Sequence, residues 1–303
     1  MRTSKIFFLK LILFAVVLFL ADTIIGSILE HFYHKAPYSY TYRANYIVNK
    51  THEDLLLFGS SRAAHHYDSS ILEDSLNITV YNCGFNGASI YYHYALFRKI
   101  EERYYPKMIL LDVQQADYII SDQFNFESLN DLFPYYRTNK YVDDLFMQMG
   151  NNEKIKLTSK LFRYNSMLSE IVADNLIKRD QTWRNGYIPI DGITAGEPVE
   201  IENPTASVDS SKVLYLRKFI ELTIENNIKL FLCISPTYTK IDENLVSFTK
   251  ELAKEYDVEL LDYHSDQIFS NRFFKDAYHL NDEGARSFSS QVASELKRKI
   301  NCN

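Results

Sequence analysis

Asp54-Leu55-Leu56-Leu57-Phe58-Gly59-Ser60-Ser61-Arg62 is a short apolar run that passes directly into a glycine and two serines. A run of four apolar residues with no polar alternation fits a strand buried on both faces. The same pattern recurs along the chain. Ile78 to Tyr81, Met108 to Val113, Ile228 to Ile234 and Val258 to Leu261 are further short apolar runs rich in β-branched or aromatic residues. Helical patterns lie between and after them: Ile71 to Leu76, Ala88 to Tyr104 (closing before Pro106), Ser211 to Asn226, Glu243 to Tyr256 and Asp282 to Lys299. The last of these opens on Asn281 or Asp282 as N-cap. Five buried strands alternating with helices predict an α/β fold, a flavodoxin-like three-layer sandwich around a five-stranded parallel sheet.

In such sheets ligands bind beyond the carboxyl ends of the strands. Ser60 and Ser61 follow the first strand, Gly84 to Gly87 the second, and Gln114 and Gln115 the third. Ser235-Pro236-Thr237-Tyr238 follows the fourth, and Asp276-Ala277-Tyr278-His279 lies in the loop before the last helix. These groups are therefore expected on one rim. A serine hydroxyl is a weak nucleophile at neutral pH and needs a base, which in turn needs an orienting group. His279 can serve as the base and Asp276 as its partner. Each is also explicable alone as a helix cap, so the weight rests on their combination.

Bulk properties narrow the field. The net charge of −6 offers no basic surface for nucleic acid. Three cysteines, Cys83, Cys233 and Cys302, without short spacing make neither a zinc knuckle nor a disulfide framework. No metal or cofactor is implied, and His65 and His66 lack a neighbouring carboxylate pair at ligand spacing. Tyrosine (23) and phenylalanine (20) are numerous enough that most rings must be core, though Tyr91-Tyr92-His93-Tyr94 and Phe133-Pro134-Tyr135-Tyr136 could also line a groove.

The first 30 residues read as a membrane anchor, with a cleaved signal peptide as the other reading. Arg2, Lys5 and Lys10 precede an apolar segment running from about Ile6 to Leu29, interrupted by Asp22 and Thr23. That length spans a bilayer as a helix, with Lys10 snorkelling at the cytoplasmic end. The segment lacks a good small-x-small cleavage site after Leu20, and the positive flank places the body outside the cytoplasm. Asp22, costly against lipid, is expected near the interface or against a partner helix. Residues 31–53 read as a stalk and 54–303 as the main domain. Within it, about 121–204 breaks the strand-helix alternation and reads as an inserted cap, with helical pieces at Tyr141 to Met149 and Lys154 to Leu176 and a loop at Gly186 to Gly192.

In their order and topological places, these motifs resemble the SGNH or GDSL-like hydrolase superfamily over Asp54 to Asn303, the insertion excepted. The family's first block is Gly-Asp-Ser with a nucleophilic serine; here it reads Gly59-Ser60-Ser61, which puts Ser61 in that place. Its second block has an asparagine followed five residues on by a glycine whose amide serves the oxyanion hole, matched by Asn82 and Gly87. Its fifth block, Asp-x-x-His, is matched by Asp276 and His279. The third-block asparagine is absent: Asp112-Val113-Gln114-Gln115-Ala116-Asp117 stands there, with Gln114 or Gln115 as substitutes.

The resemblance implies a catalytic set of Ser61, Asp276 and His279 and an oxyanion hole from the amides of Ser61 and Gly87. Arg62 and Asn86 are candidates for binding substrate. With the anchor, the chain resembles the membrane-anchored envelope acyl-esterase and O-acyltransferase-like subgroup. That implies an extracytoplasmic esterase or O-acyltransferase acting on acyl, chiefly acetyl, esters of envelope glycans, with a multi-pass membrane O-acyltransferase as partner. The alternative is a catalytically degenerate glycan-binding or scaffold protein, favoured by the missing asparagine.

Overall fold

In the computed structural model, residues 2–35, 40–120, 126–150, 152–177, 184–194, 207–239, 243–264 and 270–301 are described. Cys302 and parts of the inserted stretch lie outside them. The helices are α1 (Arg2–Lys35), α2 (Tyr40–Asn49), α3 (Ser61–His66), α4 (Ser69–Leu76), α5 (Ile90–Ile100), α6 (Lys140–Gln148), α7 (Glu153–Lys156), α8 (Phe162–Asn165), α9 (Leu168–Leu176), α10 (Ser210–Glu225), α11 (Glu243–Glu255) and α12 (Asp282–Asn301). The strands are β1 (Leu55–Phe58), β2 (Val80–Asn82), β3 (Met108–Asp112), β4 (Lys229–Ile234) and β5 (Glu259–Asp262).

The chain divides into two units: Met1–Val48 with Leu129–Asp180, and Asn49–Ser128 with Gln181–Asn303. The second unit holds the sheet. Its order is β2-β1-β3-β4-β5 and every pairing is parallel, as the five apolar runs predict. Alternate residues of β1 face opposite layers. Leu55 and Leu57 join Tyr67, Leu72, Phe288, Val292 and Leu296 beneath α3, α4 and α12. Phe58 points the other way, with ring centroids 6.0 Å from Phe97 of α5 and 5.4 Å from Phe219 of α10. All four β1 residues are fully buried, so truncating Phe58 to alanine would cost about 3–5 kcal/mol.

The strand order reverses at β1: β2 lies on one side and β3 on the other. In open parallel sheets ligands bind outside the carboxyl ends of the strands at such a switch point; here Gly59-Ser60-Ser61 follows β1 and Val113-Gln114 follows β3. Gly59 sits at φ 141°, and a Cβ there would stand 2.8 Å from Ala63 Cβ and 2.9 Å from the Asp112 carbonyl oxygen. Only glycine lets β1 turn into α3 this close to β3.

The first unit contains α1, α2 and α6 to α9. Residues 31–53, expected as a stalk, are largely helical: α1 runs on to Lys35 and α2 follows. The single helix expected over Lys154 to Leu176 is three pieces, broken at Leu157-Thr158-Ser159-Lys160-Leu161 and at Ser166-Met167. Residues 184–194, read as part of the insertion, belong to the sheet-bearing unit: Ile188 N–H donates to Ala64 O, and Asp282 N–H to Ile190 O.

Candidate active site

Ser61 is the first residue of α3, and its neighbour Ser60 is the buried N-cap. The Ser61 hydroxyl lies 2.7 Å from His279 Nε2. On the other side of the ring, His279 Nδ1 lies 2.9 Å from Asp276 Oδ1 and 3.0 Å from Oδ2. A carboxylate only accepts, so Nδ1 carries the proton and Nε2 is free to receive the serine's. The three-residue spacing has a local cause. Asp276 Oδ1 also accepts from the N–H groups of Tyr278 (2.8 Å) and His279 (3.0 Å), a turn of the kind aspartate side chains stabilise. One carboxylate thus folds the turn and holds the ring. Partial burial pushes the Asp276 carboxyl up, but the Tyr278 N–H and His279 bonds outweigh it and hold it below the usual carboxylate value.

The turn is clamped from several sides. Lys275 N–H donates to His279 O, and Phe274 pairs with Leu280. Tyr238 and Thr239, beyond β4, donate their N–H groups to Ala277 O. Leu280 N–H donates to His66 Nε2 at 3.0 Å. His66 is therefore a positioning group that sequence reasoning missed. It closes the helix that Ser61 opens and grips the residue after His279. Full burial, with His279 and Arg62 adding repulsion of a second charge, holds His66 well below the usual imidazole value. It stays neutral and keeps the lone pair that Leu280 uses. His65 donates from Nδ1 to Ile188 O at 2.7 Å. The signal for both was two histidines at the end of the helix that Ser61 opens.

The asparagine-glycine block works as a lever. Asn82 Nδ2 donates to Ala63 O (2.7 Å) and Tyr67 O (3.0 Å), and its Oδ1 accepts from Gly84 N–H. Phe85 N–H reaches Gly59 O. Asn82 is thus a buried staple between β2 and α3, while Asn86 and Gly87 emerge exposed. Gly87 has φ 72° and open space around its Cα. Among the described residues, neither the Ser61 nor the Gly87 N–H finds an internal acceptor. Two free backbone donors on the rim are what a developing oxyanion requires.

After β3, Gln114 and Asp117 form a capping box: the Gln114 side chain accepts from Asp117 N–H, and Asp117 Oδ2 accepts from Gln114 N–H at 3.0 Å. The Gln114 carbonyl end is thereby committed and its amide nitrogen is left buried without a partner among the described residues. Gln115 begins the 3-10 turn that follows. Burial raises the Asp117 carboxyl to about 7.

Arg62 corrects an expectation. Offered by sequence as a contact for an anionic substrate, it is turned beneath the rim. Its guanidinium lies 3.1 Å from Asp112 Oδ1 and donates to Val113 O at 2.8 Å. Tyr67 completes the cluster by donating to Asp112 Oδ2 at 2.5 Å. Burial pushes the Asp112 carboxyl up although Arg62 and Tyr67 pull against it. Cys83 and Cys233 are buried, as their positions beside and in strands predict.

Set against known proteins, the chain matches no family model and no curated protein. Solved structures similar to it include a protein of the G-D-S-L family from Desulfitobacterium hafniense (12% identity, 79% of this chain and 97% of the other, TM-score 0.42). A GDSL-like lipase from Bacteroides thetaiotaomicron is another (10% identity, 81% and 88%, TM-score 0.41). A carbohydrate acetylesterase family member from Sinorhizobium meliloti is a third (11% identity, 80% and 98%, TM-score 0.35). Identities and scores this low leave the weight of the functional reading on the residues of this chain.

Proposed function

We propose that this protein is a membrane-anchored serine esterase or O-acyltransferase acting on acyl, chiefly acetyl, esters of extracytoplasmic glycans. The observation that carries the reading is the contact of Ser61 Oγ with His279 Nε2 at 2.7 Å, with Asp276 on the opposite ring nitrogen. In this reading His279 takes the Ser61 proton as the oxygen attacks the ester carbonyl. The amides of Ser61 and Gly87 and the Gln114 side chain receive the oxyanion. Collapse expels the alcohol, which takes its proton from His279 and leaves an acyl-Ser61 ester. Water resolves that ester in an esterase, and a sugar hydroxyl does so in a transferase, each deprotonated by His279.

The resemblance of the motifs to the SGNH family supports the chemistry, and the positive flank of Arg2, Lys5 and Lys10 supports the orientation. Retention of α1 as an anchor is supported by its second half, which is an element of the first unit. Asp22 accepts from Ser159 Oγ and from the N–H groups of Lys160 and Leu161. A cleaved leader would leave those donors unsatisfied.

The scaffold alternative draws on the missing asparagine after β3, and the contacts of His279 with Ser61 and Asp276 speak against it. The deciding experiment is labelling of the full chain in detergent with a fluorophosphonate probe, alongside p-nitrophenyl acetate turnover. Labelling that disappears in Ser61→Ala is expected. A folded wild-type chain that neither labels nor turns over would leave the scaffold reading. Product analysis with an acetyl donor and a glycan acceptor separates transfer from hydrolysis.

A further inference from the structure

α1 is longer than a bilayer needs. Its 34 residues extend about 51 Å at the α-helical rise, against a hydrocarbon core of about 30 Å. Counted from Lys10, the roughly 20 residues that cross the core end near Glu30. Asp22 falls inside that length, and the groups that satisfy it come from the first unit's own loop. Ser159 Oγ, Lys160 N–H and Leu161 N–H converge on its carboxylate at 2.5, 2.9 and 3.1 Å. Lys160 Nζ adds bonds to Ser27 and Glu30. The approach is close: a Cβ on Gly26 would stand 2.8 Å from the Lys160 carbonyl carbon. Small residues allow such contacts inside membranes, where polar groups must find partners within the protein. Whatever depth Asp22 occupies, residues 159–161 occupy as well.

The helices that follow carry a matching surface. α9 packs against α1, and Asn175 Nδ2 donates to Phe32 O at 3.1 Å. It buries Ile171 and Asp174. Leu168, Val172 and Leu176, four residues apart, lie within roughly an 80° arc of the helix. They are 46%, 47% and 78% exposed. On α1 the neighbouring face presents Ile24, Ile28 and Phe32, also exposed and also spaced by four. The Asn175–Phe32 bond sets the two stripes side by side, so the apolar surface of the anchor continues onto α9. α7 adds exposed Ile155 between Lys154 and Lys156, an apolar tip flanked by cations of the kind found at anionic lipid headgroups.

We propose that residues 153–177 form an interfacial element seated in the leaflet nearest the C-terminal half of α1, with Leu168, Val172 and Leu176 in contact with lipid chains and Lys154 and Lys156 among anionic headgroups. The occupant of this apolar face is the bilayer itself. The inference rests on α1 being a retained anchor, so its test reads both claims separately.

Variants Val172→Cys, Val17→Cys and Glu251→Cys, each in a Cys302→Ser background of the full chain, would carry a bimane label on the introduced cysteine, Cys83 and Cys233 being buried. Each would be reconstituted into phosphatidylcholine–phosphatidylglycerol vesicles with and without brominated acyl chains. All three positions are exposed, so the labels leave packing intact. The expected result is loss of emission at 17 and at 172 with brominated lipid, and none at 251. Quenching at 17 with 172 as indifferent as 251 would overturn the inference and leave the anchor standing. No quenching at 17 would remove the anchor itself. A label at 172 untouched by bromine yet shielded from aqueous iodide would mean that protein covers the stripe, a second copy or a partner, and the lipid assignment would fall.

Discussion

Ser61 and Arg62 are adjacent in sequence and opposite in use. Ser61 opens α3 facing the rim, against a histidine and a half-exposed carboxylate. Arg62 turns inward to a fully buried carboxylate, Asp112, and a buried tyrosine, Tyr67. Both clusters pair a cation or proton acceptor with an aspartate, and only one can exchange protons with a substrate. The difference is access and hydrogen-bond capacity. In the proposed reaction the His279 ring receives and returns a proton through Nε2. The Arg62 guanidinium is a donor only. Charged residues beside a candidate nucleophile are thus as readily the floor of a site as its recognition surface.

The sharpest way to break this contrast is on the rim. Ser61→Ala or His279→Ala is expected to lower p-nitrophenyl acetate turnover by ~10³-fold or more. The double variant should lose little beyond either single one, because the two act as a unit. Additive losses would mean that the two side chains do not share a step. Next in size is the floor. Asp112→Ala leaves Arg62 buried and unpaired and should cost about 3–5 kcal/mol in urea unfolding. Replacing both partners with apolar residues, Arg62→Met with Asp112→Leu, should recover most of that. A stable single variant would remove the structural role assigned to the pair.

Smaller still is the donor that stands where an asparagine was expected. Gln114→Ala should reduce kcat by roughly 10²-fold, the usual cost of one oxyanion donor, with KM little changed. A loss confined to Tm would reassign Gln114 to the capping box alone. Near neutral pH the least effect, growing only as the pH falls, concerns His93, whose buried ring nitrogens lack partners among the described residues and whose pKa burial lowers to about 3. Below the ordinary imidazole value of 6.5 the unfolded chain takes up a proton that the folded chain refuses. Stability therefore falls as pH drops from 6.5 toward 3, by about 1.4 kcal/mol per unit from this group. Asp117, raised by burial, contributes the opposite slope over its own window. Comparing His93→Phe with the wild type isolates His93: the two unfolding curves should diverge as the pH falls and run parallel above about pH 7.

Much of this was legible in the chain because it is local. Four- to six-residue apolar runs mark strands buried on both faces, and helical patterns between them mark crossovers, so the parallel sheet follows from periodicity. Asp276-x-x-His279 is legible for the same reason: the aspartate folds the turn that presents the histidine. Asn82 and Gly87 are joined by one short loop, and their spacing survives folding. Burial and pairing across the fold are not local. Nothing in Ser60-Ser61-Arg62 states which side chain faces out. That depends on Asp112, fifty residues on, arriving at the adjacent strand end. The grip of His66 on Leu280 spans 214 residues. The pairing of Asp22 with 159–161 joins the two ends of a discontinuous unit, and the capping box that frees the Gln114 amide depends on the turn that β3 enters. The sheet, its rim and the Asp276–His279 turn follow from the chain alone, since each is written in neighbouring residues. Which charges serve as floor, which donor stays free and where the insertion packs were decided only when distant segments met, because desolvation and hydrogen-bond saturation are properties of the assembled structure.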